Sequence, residues 1–368
     1  MRSRVAAVAS LALALGNAAC GEGTTPPGAE GFSGDALVCD LDKRFLADGG
    51  VGRDGIPALT DPLFLPVEPR VDEISYFKST DRIIGYRSPS GDWLAIPHNI
   101  MWRHEIVNLP ETTITYCPLT GSALAFARLS VNQSEFGVSG LLYHANLVLY
   151  DRSGDEESLW PQMLGQARCG PRSGQSLIRV PVYEMPWEAW VELHPDTKVL
   201  ALTKDMFDPA LYFFNPYGDR YEDPDNGDYL GMPMGQDTRR PPKERVLGVP
   251  DGRGGGLAFP FLAMAEVGDR AVFRFEVGDE PGVVLWDAER ESAMAFQPVL
   301  NAQPVEFSVG SGGFVDDLTG TTWAVDGTPL AGPLAGTGQR LTPRNEPYVA
   351  FWRAWAAFHP DTELALGG

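Results

Sequence analysis

The chain predicts a β-dominated α+β fold arranged as two tandem copies of one domain, with short strands and few short helices. Three observations lead there. Glycine and proline are abundant, 41 and 31 of 368 residues, which favours turns and strand ends over long helices. Apolar residues come in short runs bounded by turn signals, at Ile83–Tyr86, Trp93–Ile96, Thr112–Tyr116, Ala123–Ala127 and Leu141–Tyr150. The chain also repeats itself once: Arg82 to Gly85 returns as Arg245 to Gly248, and Leu94 to Pro97 as Leu257 to Pro260. The strongest echo is Trp187, Trp190, His194 and Thr197 against Trp352, Trp355, His359 and Thr362.

Taken in order, residues 1–20 read as a lipoprotein-type signal: Arg2 and Arg4, an apolar run from Val5 to Leu15, then small residues up to Cys20, the lipidation candidate. Asn17 stands where leucine is usual. The run is too short to span a bilayer. Residues 21–80 are a polar spacer and extended lead-in, and 81–204 the first repeat, which bears the site. Residues 205–243 form a linker or insertion packed by its aromatics, and 244–368 the second repeat, a degenerate scaffold copy. Glu184–Leu193, with tryptophans three apart before His194 and Pro195, predicts a short helix, and Asn99–Val107 another.

A formal net charge of −20 excludes nucleic acid and anionic lipid as partners, so membrane contact is expected only through a lipid on Cys20. The expected location is the cell envelope, in the periplasm or at the outer membrane. Lipidation of Cys20 leaves three cysteines in an oxidising compartment. Cys39 and Cys169 each lie in a turn-like context and are expected to form a disulfide, with Cys117 free.

Residues shared by both repeats point to structure, so His194 and His359 are assigned to the fold. His98, His104 and His144 occur only in the first repeat, in the segment that also holds Cys117. Imidazoles plus one thiolate are a donor set for copper or zinc, with Met101 as a weak additional ligand. No diagnostic metal spacing accompanies them. The same residues permit a cysteine enzyme, a hydrolase or transferase: Cys117 as nucleophile, His104 or His98 as base, Glu105 or Asp92 as orienter. A buried, inert cysteine is the plain structural alternative. The glycine run from Gly252 to Gly256 reads as a hairpin tip, not a phosphate cradle.

The segments Asp54–Leu59, Ile96–Ile100, His104–Asn108, Thr115–Ser122 and Phe136–Tyr143 together resemble the bacterial domain-of-unknown-function family 3179 over nearly all of the mature chain. That resemblance implies a domain and no established reaction. It also implies that many members carry a second cysteine where Thr120 stands here, which weakens a dithiol mechanism. His104, Cys117 and His98 rank above His144 by fit to the family pattern. The leading expectation is an extracytoplasmic copper-binding protein with redox or electron-transfer work. A thiol enzyme comes second, and a non-catalytic module whose β surface meets glycan or protein comes third.

Overall fold

Short apolar runs next to glycine and proline give short strands, and the computed structural model describes them over residues 39–154 and 157–366. The lipidation candidate Cys20 and the signal-like segment lie outside the described residues. The fold is β-dominated, with four α-helices of seven residues each among the described residues: α1 (His98–His104), α2 (Trp187–Leu193), α3 (Phe261–Val267) and α4 (Trp352–Phe358). Each helix begins where a strand stops. Three of them follow a proline, Pro97, Pro186 or Pro260, whose extended backbone closes the strand and turns the chain.

Three sheets make up the first half. One orders Tyr183–Pro186, Arg82–Arg87, Trp93–Pro97, Lys198–Leu200 and Phe64–Pro66. A second orders Ile178–Val180, Ser122–Ala127, Thr112–Cys117, Ile106–Asn108 and Leu59–Thr60. The third holds Leu46–Asp48, Phe136–Tyr143, Asn146–Asp151 and Leu159–Pro161. The lead-in therefore supplies an edge strand to every one of these sheets.

In the second half, Tyr348–Phe351, Arg245–Pro250, Gly255–Pro260 and Asp361–Leu364 repeat the order and strand directions of the first sheet's opening four strands. Buried contacts recur as well. Trp190 Nε1 donates to Thr197 Oγ1 at 3.0 Å, and Trp355 Nε1 to Thr362 Oγ1 at 2.9 Å. Trp160 Nε1 donates to Asp151 Oδ2 at 2.6 Å, and Trp323 Nε1 to Asp316 Oδ2 at 2.8 Å. The two largest apolar clusters cross between the halves, while two smaller ones stay within one half each. One apolar cluster joins Ile83, Ile100 and Trp190 to Leu285, Phe296 and Trp323. Another joins Cys117, Phe126 and Trp160 to Tyr348, Phe351 and Trp355.

Several boundaries differ from expectation, each for a local reason. Leu141–Tyr150 is not one strand: His144 and Ala145 both have positive φ, 49° and 60°, and make a two-residue hairpin turn between paired strands. Glu184 to Pro186 belong to a strand, so the helix starts at Trp187. The other helix begins at His98 and stops at His104, because Glu105 takes the left-handed conformation and Ile106–Asn108 continues as a strand. Residues 205–243 contain no strand, a 3-10 turn at Pro209–Phe213, and buried Tyr212, Tyr221 and Tyr229. Asp251 to Gly254 is the tip of a hairpin.

Candidate functional site

The strand Thr112–Cys117 separates the sequence candidates, because neighbouring side chains along a strand face opposite ways. Tyr116 faces one core cluster and Cys117 the other. His98, at the start of α1, stacks on Tyr116 with ring centroids 4.2 Å apart. Its Nε2 lies 3.2 Å from Glu184 Oε2 but makes no well-directed hydrogen bond. His104, one helical length later, is held at both nitrogens: Nδ1 by the Pro57 carbonyl at 2.8 Å and Nε2 by the Tyr212 hydroxyl at 2.7 Å. Burial lowers its pKa, so the ring stays neutral. Met101, between them, is a fully buried core residue.

His144 sits in the hairpin turn, stacked on Phe45 at 4.1 Å, with Nδ1 accepting the Gly235 N–H at 3.2 Å. Burial lowers its pKa to about 4. The Cys117 Sγ faces backbone: it donates to the Ala145 carbonyl at 3.7 Å and accepts the Leu147 N–H at 3.4 Å. Burial, reinforced by the Glu105 carboxyl, pushes this thiol up to about 11. None of the three imidazoles bonds to it. Among the described residues, no three His, Cys, Asp or Glu side chains lie together as an ion would need. The set His98, His104, Cys117 and His144 is thus not assembled as a copper or zinc centre, and His104 is not placed to act as base to Cys117. Asp92, the alternative orienter, pairs instead with Lys198 at 3.1 Å.

What the fold does assemble lies around Glu105. Its backbone, at φ 55° and ψ −25°, ends α1 in a conformation that costs a non-glycine residue about 1–2 kcal/mol. At the corresponding end of α3 stands Gly268. The turn carries the Glu105 side chain away from His104 and toward Cys117, while Tyr116 N–H donates to the Glu105 carbonyl at 2.8 Å. There the carboxyl lines a cavity of about 130 Å³ whose other walls are apolar or aromatic. Gly49, Val51 and Ile56 come from the lead-in, Val138 and Leu147 from a sheet, Leu119 from the turn after Cys117, and Tyr217, Leu230 and Met232 from the 205–243 segment. Glu105 is only 5% exposed, and no hydrogen bond joins its carboxyl to a described residue, although its oxygens are not fully enclosed. Burial raises its pKa to about 8, so at neutral pH it is mostly the neutral acid, a hydrogen-bond donor in an apolar chamber.

The segment that supplies Tyr217, Leu230 and Met232 is pinned by Lys243, which is 1% exposed and donates through Nζ to the Tyr221 and Asp228 carbonyls at 2.8 and 2.6 Å. Its ammonium also stands 3.1 Å from the Tyr221 ring centre, a cation–π contact. Tyr217, Met232 and Lys243 were not singled out in the sequence. The aromatic density of an otherwise unpatterned insertion is the signal that marks them.

The disulfide Cys39–Cys169 is present, and Cys117 is a buried free thiol. His194 bridges the halves, its Nε2 2.8 Å from Asp326 Oδ2, whereas His359 bonds to the Tyr348 hydroxyl at 2.8 Å.

The fold and this chamber define a class: a β-rich protein of many small sheets with an apolar pocket lined by one largely buried carboxyl-bearing residue. The chain belongs to the family described as Protein of unknown function (DUF3179), whose family model matches residues 53–362, most of the chain. No curated protein and no solved structure matches it.

Proposed function

We propose that the protein binds a small, largely apolar molecule carrying one hydrogen-bond acceptor, seated in the Glu105 cavity with its acceptor on the protonated carboxyl. The observation that carries this reading is a carboxyl on a largely buried residue with strained backbone, bonded to no described residue and opening on the cavity. Such a group is costly to fold around unless it meets something. A chamber of about 130 Å³ holds a ligand of roughly one small ring, comparable to cavities of about 150 Å³ that take benzene. Copper or zinc binding would require the imidazoles to leave their present partners. Thiol catalysis would require a base beside Cys117.

The second half is, in this reading, a copy of the first that keeps the scaffold and lacks the site. The matched Trp–Thr and Trp–Asp contacts support it, as does Gly268 in the place of Glu105. Export and a lipid on Cys20 complete the proposal, supported by the signal-like first 20 residues and by the need of a structural disulfide for an oxidising compartment.

An NMR titration with cyclopentanone and cyclopentane tests the cavity. Cyclopentanone is expected to shift resonances of Glu105, Leu119, Leu147 and Tyr217, to bind about tenfold more tightly than the hydrocarbon, and to lose that advantage in Glu105→Leu. Equal binding of the two probes, no binding of the ketone, or indifference to Glu105→Leu would overturn the reading.

A further inference from the structure

A groove of about 720 Å³ lies between the two halves, bounded by the edge strand Ile178–Val180 on one side and the hairpin tip at Gly252–Gly254 on the other. Its charge runs against that of the molecule. The chain carries −20, yet the groove wall presents three guanidiniums, Arg168, Arg179 and Arg253, and one carboxylate, Glu346. His359 also lines the groove, but burial lowers its pKa to about 3 and it adds no charge.

Little on the chain neutralises these arginines. Arg179 donates to the carbonyls of Glu346 and Met163 at 2.8 and 2.7 Å, bonds that fix the guanidinium without cancelling its charge. It makes no ion pair with a carboxylate among the described residues. Arg168 meets Asp40 at 3.1 Å, but Asp40 is 82% exposed, and so solvated a pair retains little of its attraction. Arg253 is positioned through its backbone, whose N–H donates to Asp251 Oδ1 at 2.7 Å, and its guanidinium enters no ion pair among the described residues. Glu346 is itself occupied by Arg344 at 3.3 Å. Beside the cations the wall is mixed: Gln166, Ser176 and Asn345 alternate with an apolar strip of Leu164 and the 57%-exposed Ile178, backed by buried Met163 and Phe358.

Cations with little compensating charge beside an apolar strip, in a volume typical of small-molecule sites, select a ligand that is anionic at one end and apolar along its body. We infer that this groove is a second binding site, one for a medium-chain carboxylate whose head meets Arg168 and Arg253 while its chain lies along Ile178 and Leu164. The site is independent of the Glu105 cavity, which is several times smaller and offers no cation.

Calorimetric titrations of the full chain with decanoate, decanol and decylammonium, each below its aggregation concentration, test the inference. Decanoate is expected to bind at least tenfold more tightly than decanol, with decylammonium weakest. Arg168→Gln combined with Arg253→Gln should bring decanoate to the level of decanol. Both side chains are partly or fully in solvent, and circular dichroism checks that the fold is kept. Glu105→Leu should leave decanoate binding unchanged, which separates failure here from failure at the cavity. Absence of decanoate binding, equal binding of the three probes, or no response to the double substitution would sink the inference.

Discussion

Glu105 and His144 tie the folding equilibrium to pH in opposite senses. The Glu105 pKa is raised by burial from about 4.5 to about 8, so its contribution to stability is fully present below 4.5 and is lost as pH rises through 8. Glu105→Gln removes that dependence. Denaturant titrations between pH 5 and 8 should show the wild-type unfolding free energy falling more steeply than the variant's by up to about 1.4 kcal/mol per pH unit. A parallel pair of curves would mean the carboxyl is ionised in the folded chain. For His144, lowered to about 4, the contribution is present above about 6.5 and is lost as pH falls toward 4. His144→Phe keeps the stack on Phe45 and should flatten the acid limb, at the cost of the bond from Gly235. The same residue-level physics makes Cys117 inert: fully buried, with a thiol pushed up to about 11, it should resist iodoacetamide at pH 8 in the folded protein and react once unfolded. These residues were all visible in the sequence as chemical types, but their partners were not. His98 and Cys117 lie 19 positions apart and face opposite sides of one strand, and no spacing rule reports that. Glu105 was legible as a companion of His104, and only its left-handed backbone redirects it to the cavity.

At the scale of elements, two tight contacts hold the main sheets against their helices. Gly85 lies under the Trp190 ring and Gly248 under Trp355, where an added Cβ would come within 2.2 Å of a ring carbon in each case. Tryptophan rings wedged in a core cannot yield by that much without shifting α2 or α4. Gly85→Ala and Gly248→Ala are therefore each expected to lower stability by about 2 kcal/mol or more. Gly312→Ala, whose Cβ meets nothing within 4 Å, should be near neutral. Chemical denaturation of the three variants decides the matter, and a neutral Gly248→Ala would show that the second half does not depend on the contact that the first half uses. The sequence disclosed these elements well, because a strand's alternation and a tryptophan pair before His-Pro survive in any context. It hid the elements' ends. The turn at His144 and Ala145 uses neither glycine nor asparagine, so the usual chemistry of a two-residue hairpin is missing. The boundaries at Pro97 and Pro186 depend on which strand the preceding residues join, and that is settled by tertiary pairing.

For the whole molecule, tandem copies predict two separate cores, and the chain instead shares its two largest apolar clusters across the halves. Nothing in the order of apolar residues specifies that Phe351 will reach Gly121 or that Phe351 N–H will donate to the Thr120 carbonyl at 2.8 Å. Such pairings are non-local, and the repeat is equally compatible with beads on a string. The lead-in is the other long-range device. Its strands edge the three sheets of the first half, and its residues Gly49, Val51 and Ile56 wall the Glu105 cavity. The disulfide fixes its described start to Cys169, closing a loop of 130 residues. Chain-entropy arguments put such a crosslink at about 2–5 kcal/mol, chiefly through the unfolded state. Cys39→Ser with Cys169→Ser is accordingly expected to lower the unfolding free energy by that amount. The cavity adds a second consequence, because releasing the lead-in frees one wall of the chamber. Cyclopentanone affinity should fall in the double variant under conditions where circular dichroism still shows it folded. Unchanged affinity at reduced stability would place the disulfide's effect wholly in the unfolded chain and leave the cavity wall held by the edge strand Leu46–Asp48 and by the Gly49, Arg53 and Asp54 contacts beside it.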